Sequence, residues 1–436
     1  MSAATRSLRL AQTRTILLLF GGYAACYYCR ADLSVATPLL VEELSRRGVT
    51  HAEALIRIGS MSSFGVLAYA LGKLFLTGLG DYWGGRRNFL ISLGGATAFT
   101  LLFAAGGSLP VFTTAWLGNR LTQSLGWAGL VKVSSRWFDY SSYGSILGVL
   151  SLSYLVGDAL ARQQMGLLIG HGYGWRALFL FAGTVTAVML LASLLWLRES
   201  RTEEGHVEAA PNPRNLFAAS EAQPASVAAL LVPLLRSRAF LLVCLLSFAC
   251  TIIRETFNNW TPQYLHDHLG YSVSHAATLS AVFPGVGAVS VLVAGWLSDR
   301  LGLNGRSLLL FLGLGGTVAA LLVLMSVRPG NSTSLLPLAT IGVVAFCLLG
   351  PYSYLGGAFA LDFGGKQASA ASSGLIDGIG YLGGVLAGDS VGRLSVAYGW
   401  DAVFVALAAV SAAVALCAGA LHVLNTRATA RRVLHA

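Results

Sequence analysis

Apolar stretches of about 20 residues recur along the whole chain, and each is long enough to cross a lipid bilayer as a helix. Backbone groups within lipid must form their hydrogen bonds internally, so these stretches are predicted to be α-helices. The alternating strands of about ten residues that mark an outer-membrane barrel are missing from the sequence. The pattern therefore predicts an all-α membrane protein with twelve transmembrane helices. The predicted spans lie near residues 15–40, 55–79, 88–107, 110–133, 143–169 and 175–197, then 239–265, 273–298, 306–327, 334–361, 368–396 and 400–424.

A long polar stretch separates the sixth span from the seventh. It covers residues 198–238 and contains Pro211, Pro213 and Pro224 among mixed Glu and Arg residues. This composition is typical of a flexible linker. The chain is therefore expected to form an N-terminal six-helix bundle over residues 1–197, a linker over 198–238 and a C-terminal six-helix bundle over 239–436.

The positive charges are distributed unequally between the two sides of the spans. The net charge is +10, and most Lys and Arg residues lie in the loops on the side of the two termini, whereas the loops of the other side hold few. Such an asymmetry is typical of membrane orientation and not of a nucleic-acid groove. We therefore expect a multi-pass membrane protein with both termini and the linker in the cytoplasm, and no nucleic-acid partner.

Two polar stripes repeat in the two halves of the chain. Each residue of a stripe in the first span lies 224 positions before its counterpart in the seventh span. The spacing of 0, 4, 7, 11 and 14 positions puts each stripe along one helical face. Each half is therefore predicted to send an arginine-centred stripe into the bundle. The pairs are Tyr23 and Ser247, Tyr27 and Thr251, Arg30 and Arg254, Ser34 and Asn258, Thr37 and Thr261, and finally Pro38 and Pro262.

Arg30 and Arg254 lie near the middle of their spans, where an arginine costs about 2.5–3.5 kcal/mol on insertion scales. One reading is that each arginine pairs with a carboxylate. However, Asp32 lies about 200° around the helix from Arg30 and Glu255 about 100° from Arg254, so neither neighbour is expected to neutralise its arginine. The other reading is that the two guanidinium groups bind a divalent oxyanion such as phosphate through bidentate hydrogen bonds. Such a site favours exchange, because an anion draws the halves together and an empty site leaves two positive charges facing each other.

The loop after the eighth span reads Gly295-Trp296-Leu297-Ser298-Asp299-Arg300-Leu301-Gly302. In this G-x-x-x-D-R-x-G loop, and along its whole length, the chain resembles the major facilitator superfamily. The equivalent loop of the first half, around Asp81, departs from the pattern, with Thr77 and Tyr82 where Gly and Arg are usual. The resemblance implies two pseudo-symmetric six-helix bundles, which is the major facilitator fold.

Four segments carry a narrower resemblance: Gly22-Tyr23-Ala24-Ala25-Cys26-Tyr27-Tyr28-Cys29-Arg30, Gly72-Lys73, Gly126-Trp127 with Lys132 and Trp137-Phe138, and Arg254 with Asn259-Trp260-Thr261-Pro262. In these segments the chain resembles the organophosphate:phosphate antiporter family, which includes the glycerol-3-phosphate and glucose-6-phosphate transporters. The resemblance implies exchange of a phosphate monoester for inorganic phosphate by alternating access. By this resemblance, the substrate-binding arginines of the family correspond to Arg30 and Arg254, and the lysine of the family's second span corresponds to Lys73.

The chain departs from that family at other positions. Ala128-Gly129 stand where the family has two prolines, and Tyr154 stands where the glycerol-3-phosphate carriers have a histidine. Asp158 and Asp377 place carboxylates within apolar spans, where ionisable groups commonly have a functional role. In our interpretation one of them receives a positive or hydroxyl-rich group of the substrate, such as an amino-phosphonate or a phosphorylated polyol. A helical salt bridge from Asp158 to Arg162 is the alternative.

The predicted substrate-binding set joins these residues to their neighbours on the same helical faces. Its members are Arg30, Arg254, Lys73, Tyr23, Tyr27, Tyr154, Asp158, Asn258, Asp377 and Tyr381. The six cysteines lie within apolar segments and lack metal-ligand spacing, so no metal or cofactor is expected.

The leading prediction is a secondary active transporter that exchanges a small organophosphate for inorganic phosphate, as a monomer in a bacterial inner membrane. A carrier of another organic anion, proton-coupled through Asp158 or Asp377, is an alternative. A membrane sensor that binds a sugar phosphate is a second alternative. An enzyme is not expected, because the histidines lie at loop positions without a nucleophile or a metal constellation.

Overall fold

The computed structural model describes residues 3–79, 83–209, 227–301, 305–330 and 334–434. Asp81, Tyr82 and Gly302 of the two predicted loops lie outside the described residues. Within the described ranges the chain is helical and contains no strand, which confirms the all-α prediction. Its α-helices are α1 (Ala3–Arg46), α2 (His51–Phe75), α3 (Gly85–Ala105), α4 (Leu109–Trp137), α5 (Tyr140–Gly170), α6 (Trp175–Trp196), α7 (Val227–Arg236), α8 (Arg238–Asp267), α9 (Val273–Ser280), α10 (Val282–Leu301), α11 (Gly305–Leu324), α12 (Leu336–Tyr354), α13 (Ala360–Gly384) and α14 (Asp389–Leu434).

Each of the twelve predicted spans overlaps one or two of these helices. In the part of the chain that the structure describes, eight helical segments are long and apolar enough to cross a membrane, and one of them, Ala371–Val423, covers the last two predicted spans. The remaining three spans lie in α1, α4 and α5, which are 44, 29 and 31 residues long. The boundary between the last two spans is a bend inside α14 at Gly399, whose φ of 81° is a conformation that glycine adopts without a Cβ penalty.

Hydrogen bonds define two faces of the helix bundle. On the face where α1 begins, called the terminal face here, Gln12 donates to the Trp137 carbonyl at 3.2 Å and the Trp137 indole donates to the Arg198 carbonyl at 3.1 Å. On the other face, called the distal face, Arg47 donates to the Gly107 carbonyl at 3.1 Å. Successive spans run between these two faces in opposite directions.

The two halves pack together along three pairs of helix groups: α1 with α8, α2 with α13 and α14, and α5 with α9 and α10. The contact between α1 and α8 depends on a proline. Pro262 has no N–H, so the carbonyl of Asn258, four residues earlier, lacks its donor within α8. That carbonyl instead accepts from the Ser34 hydroxyl at 2.8 Å and from Arg162 Nη2 at 2.7 Å, both from the other half. The polar groups of one half thus complete the interrupted helix of the other.

Residues 198–209 and 227–238 of the predicted linker are described by the structure. Arg201 is buried and forms an ion pair with Asp139 at 3.0 Å, and Glu204 pairs with Arg14 of α1. Residues 227–236 form the helix α7. The first part of the linker therefore packs against the N-terminal half, where a flexible segment was predicted.

Candidate functional site

A cavity lies between the two halves, on the terminal-face side of the two stripe arginines. The space between its walls, open solvent included, is about 550 Å³, and it is lined from α1, α2, α4, α5, α8, α12 and α13. Seven residues of the predicted set line it: Tyr23, Tyr27, Lys73, Tyr154, Arg254, Asp377 and Tyr381.

Arg254 is only 5% exposed and borders this cavity. Its Nη2 donates to the Tyr381 hydroxyl at 2.6 Å and to Glu255 Oε1 at 2.7 Å. The guanidinium carbon lies 4.8 Å from the ring centre of Tyr352 and 5.1 Å from that of Tyr381. Aromatic faces attract a desolvated cation, so the two rings help to hold the charge away from water. Nε of this arginine is buried and has no hydrogen-bond partner.

Arg30 adjoins the same rings from the other half. Its Nη1 donates to the Tyr27 hydroxyl at 2.7 Å, and its guanidinium carbon lies 4.4 Å from the Tyr69 ring centre and 5.7 Å from that of Tyr381. Its Nη2 is buried and has no hydrogen-bond partner. Both stripe arginines therefore contact one tyrosine of α13, and each keeps an N–H group without an acceptor.

A third buried arginine, Arg120 of α4, belongs to the same cluster and was missed from the sequence. It is 3% exposed, and its guanidinium carbon lies 5.2 Å from the ring centre of Tyr69, which also contacts Arg30. Its Nη2 lies 3.7 Å from Oε2 of Glu255. The signal in the sequence is an arginine within an apolar span, but the carboxylate that faces it lies 135 positions further along the chain.

Glu255 corrects one expectation from the sequence. We predicted that it lies too far around the helix to neutralise Arg254, but its two oxygens face Arg254 and Arg120. The helical angle describes where the Cβ atoms point, whereas two long side chains on neighbouring residues can bend toward each other. Asp32, by contrast, forms no such contact, and its buried Oδ2 has no partner.

Lys73 and Asp377 form an ion pair across the cavity between the two halves. Lys73 Nζ donates to Asp377 Oδ2 at 3.1 Å, and the lysine is only 3% exposed. A five-residue π-helical segment, Leu355–Phe359, lies beside the aspartate. A Cβ on Gly356 would lie 2.3 Å from Asp377 Oδ1, so this glycine allows the close approach of the carboxylate. Single-turn π segments are frequent at functional sites.

Arg30, Asp158 and Asn258 do not line the cavity. Asp158 accepts from Arg162 Nε at 3.0 Å, and Arg162 also donates to the Ser280 hydroxyl at 3.1 Å. The helical salt bridge that the sequence offered as an alternative is therefore present, and it belongs to the contact between the halves. Asn258 takes part in that contact through its backbone carbonyl.

Aromatic rings form the wall of the cavity on the N-terminal half. The ring centre of Tyr27 lies 5.6 Å from that of Tyr23 and 5.5 Å from that of Tyr154, and Trp127 lies 5.4 Å from Tyr23. The described residues contain no cluster of three or more His, Cys, Asp or Glu that could hold a metal ion. The arrangement offers cationic donors and hydroxyl groups in one cavity, which suits the binding of an anion.

Comparisons with known proteins identify the family of the chain. Residues 19–388 match the family model described as the Major Facilitator Superfamily. A protein of Chlamydia trachomatis described as "Probable hexose phosphate transport protein" is 24% identical over 91% of this chain and 88% of its own. The membrane sensor protein UhpC of Escherichia coli is 27% identical over 90% of this chain and 88% of its own. The glycerol-3-phosphate transporter of Bacillus subtilis is 23% identical over 93% of this chain and 90% of its own.

Proposed function

The chain belongs to the Major Facilitator Superfamily, with its relatives in the organophosphate:phosphate antiporter family, and from this membership we propose that it exchanges a small organophosphate for inorganic phosphate by alternating access. The chain is thus a multi-pass membrane transporter and not an enzyme. The observation that carries the proposal is the pair of arginines at equivalent positions of the two halves. Arg254 lines the cavity and Arg30 lies behind its tyrosines, and Arg254 Nε and Arg30 Nη2 are both buried without hydrogen-bond partners, so each can donate to an oxyanion.

Exchange follows from the electrostatics of the site. A phosphate group between the arginines offers acceptors to both halves at once, and the charge-assisted bonds it makes are stronger than neutral ones. Without an anion, the cationic cluster resists the closing of the cavity. In a carrier of this kind, the binding site changes its exposure from one side of the membrane to the other most readily when an anion is bound. Export of one phosphate species is therefore coupled to import of another.

The state of the two halves supports access from the terminal face. Hydrogen bonds between the halves concentrate on the distal-face side of the arginines, where Ser34, Arg162 and Ser60 contact the C-terminal half. With both termini in the cytoplasm, as the charge distribution predicts, the cavity faces inward. We place the protein in a bacterial inner membrane as a monomer, with the phosphorylated substrate and inorganic phosphate as its partners.

A sensor is the second candidate, because one relative is described as a membrane sensor protein. A sensor of sugar phosphate would bind the same anion at the same cluster. It would signal to a partner and would show little turnover, so the measurement of exchange distinguishes the two functions.

Exchange in proteoliposomes tests the proposal. Purified protein is reconstituted with or without internal phosphate, and the uptake of labelled external phosphate is followed. We expect uptake only with internal phosphate, and we expect phosphate esters and phosphonates to compete for it. Binding without uptake would favour the sensor, whereas uptake of a carboxylate or sugar acid without dependence on internal phosphate would favour another organic-anion carrier.

A further inference from the structure

Glu255 lies between two of the three arginines of the cluster. One of its oxygens lies 2.7 Å from Arg254 Nη2, and the other lies 3.7 Å from Arg120 Nη2. Glu255 is 4% exposed, so water screens these interactions little. The Tyr69 ring then lies against both Arg120 and Arg30. The three arginines and this one carboxylate form a single electrostatic unit.

The charges at the site leave a defined excess. The cations are Arg30, Arg120, Arg254 and Lys73, and the paired carboxylates are Glu255 and Asp377. Among the described residues of this cluster, four cations and two paired carboxylates leave two positive charges without an ion-pair partner. The count covers ion pairs only; Asp32 makes none, because its Oδ2 has no partner and its Oδ1 accepts from the backbone N–H of Leu33, although it interacts electrostatically with Arg120.

Arg120, like Arg30, is absent from the lining of the cavity. Its contacts are the rings of Tyr69 and Trp116 and the carboxylate of Glu255. Its role therefore differs from that of Arg254, which borders the cavity. Arg120 contributes charge from behind the first layer of side chains and holds the second oxygen of Glu255.

We propose that Glu255, together with Arg120, sets the net charge of the anion site and thereby selects doubly charged tetrahedral anions over singly charged ones. The proposal rests on the proposed function, because it assumes that an oxyanion binds beside Arg30 and Arg254. It assigns Glu255 and Arg120 as specificity-determining residues that act through charge. The preferred substrate is then a phosphate monoester or phosphonate in its dianionic form with an uncharged remainder.

The size of the effect follows from Coulomb's law. One unit of charge added or removed about 12 Å from the anion changes its affinity by about tenfold for each charge that the anion carries, at an effective dielectric of about 20. A dianion feels this change twice, so the ratio of dianion to monoanion affinity also shifts by about tenfold. This ratio of affinities reports the charge of the site, because a loss of affinity that is common to both anions does not change it.

The test uses two tetrahedral anions of fixed charge, sulfate and methanesulfonate, as competitors of labelled phosphate binding to the purified protein. Because neither competitor titrates near neutral pH, the ratio of their inhibition constants does not depend on protonation. Glu255→Gln should shift the ratio toward sulfate by about tenfold, and Arg120→Gln should shift it toward methanesulfonate by about tenfold. The double variant Arg120→Gln/Glu255→Gln keeps the net charge and should return the ratio to within about threefold of the unmodified protein.

Charge-conserving variants separate charge from structure. Glu255→Asp and Arg120→Lys disturb packing and hydrogen bonds but leave the charge, so the ratio should stay near that of the unmodified protein even where overall affinity falls. A ratio that these variants change as strongly as the neutral ones overturns the proposal, and so does a ratio that neither neutral variant moves. If both single neutral variants fail to fold, the double variant decides: an unchanged ratio supports the proposal and a changed ratio overturns it. Failure of the unmodified protein to bind phosphate at all refutes the proposed function instead.

Discussion

The Ser34 hydroxyl donates a hydrogen bond at 2.8 Å to the backbone carbonyl of Asn258, the residue at the equivalent position 224 residues later. Two residues related by the internal repeat therefore meet where α1 and α8 cross. Arg30 and Arg254 each lie one helical turn before this crossing. The anion cluster thus lies directly beside the point where the halves are joined on the distal side.

Removing the Ser34 hydroxyl should loosen the distal contact. Ser34→Ala deletes hydrogen bonds to the Asn258 and Asn259 carbonyls, at a cost of about 1 kcal/mol, which favours opening by about fivefold. Modification of a Thr37→Cys reporter by a membrane-impermeant thiol reagent measures this opening. The matched control is Asn258→Ala, which keeps the backbone acceptor and should leave the rate within about twofold. Equal effects of the two variants would contradict a contact made through the backbone.

Replacing either stripe arginine with lysine should abolish exchange. Arg30→Lys and Arg254→Lys each keep a positive charge but lose the planar pair of donors, so exchange should fall by at least about a hundredfold. Phosphate exchange in proteoliposomes is the measurement. Arg393→Lys, at an exposed pair with Asp389, is the control and should transport normally. Near-normal exchange by Arg30→Lys or Arg254→Lys would assign that arginine a structural role.

The Lys73–Asp377 pair should contribute to stability and to transport in separable ways. Lys73→Met leaves a mostly buried carboxylate without its partner, which costs about 3–5 kcal/mol. The double variant Lys73→Met/Asp377→Leu removes both charges and should recover most of the thermal stability in detergent without recovering exchange. Recovery of exchange together with stability would show that the pair serves only to hold the halves.

The two intramembrane aspartates should differ in their influence on substrate choice. Asp158 is bound to Arg162 outside the cavity, so Asp158→Asn should lower stability and leave the order of preference among phosphate esters and phosphonates unchanged. Asp377 lines the cavity, so Asp377→Asn should change that order. Competition against phosphate exchange by one panel of compounds tests both variants. An order that moves in Asp158→Asn and not in Asp377→Asn would reverse the assignment.

Packing of α5 against α1 depends on one glycine. A Cβ at Gly157 would lie 2.5 Å from the Ala24 carbonyl oxygen, and backbone cannot move aside as a side chain can. Gly157→Ala should therefore destabilise the protein by about 1–3 kcal/mol. Gly148 lies on the same helix, and a Cβ there would meet no heavy atom within 4 Å, so Gly148→Ala should be neutral or slightly stabilising. Thermal unfolding in detergent compares the two variants, and equal melting temperatures would refute the packing argument.

The sequence predicted the parts of the molecule that depend on local periodicity. The apolar spans and the two stripes around Arg30 and Arg254 repeat at fixed spacing, and a helical face can be read from spacing alone. The site residues stay predictions until they are mutated, but the structure brings most of them to one cavity.

Other features depend on contacts between distant segments and leave little local pattern. Arg120 lies in a span with no matching stripe, and its role depends on the packing of α4 beside α2 and on the reach of its side chain to Glu255 of α8. Glu255 was misjudged because a helical angle ignores the reach of long side chains. The interrupted hydrogen bond at Pro262 was visible in the sequence, but its new donors, Ser34 and Arg162, come from the other half of the chain.

That interrupted bond also bears on how such a chain can change over evolutionary time. The acceptor where α1 and α8 cross is the backbone carbonyl of residue 258, which is free because the proline at position 262 has no N–H. This acceptor therefore does not depend on which side chain stands at position 258. Among related chains we expect position 258 to drift widely while the proline and a hydroxyl or guanidinium donor are retained together. In a chain that arose by gene duplication, the two halves can stay in contact in this way while the side chains that face each other change to bind a new substrate.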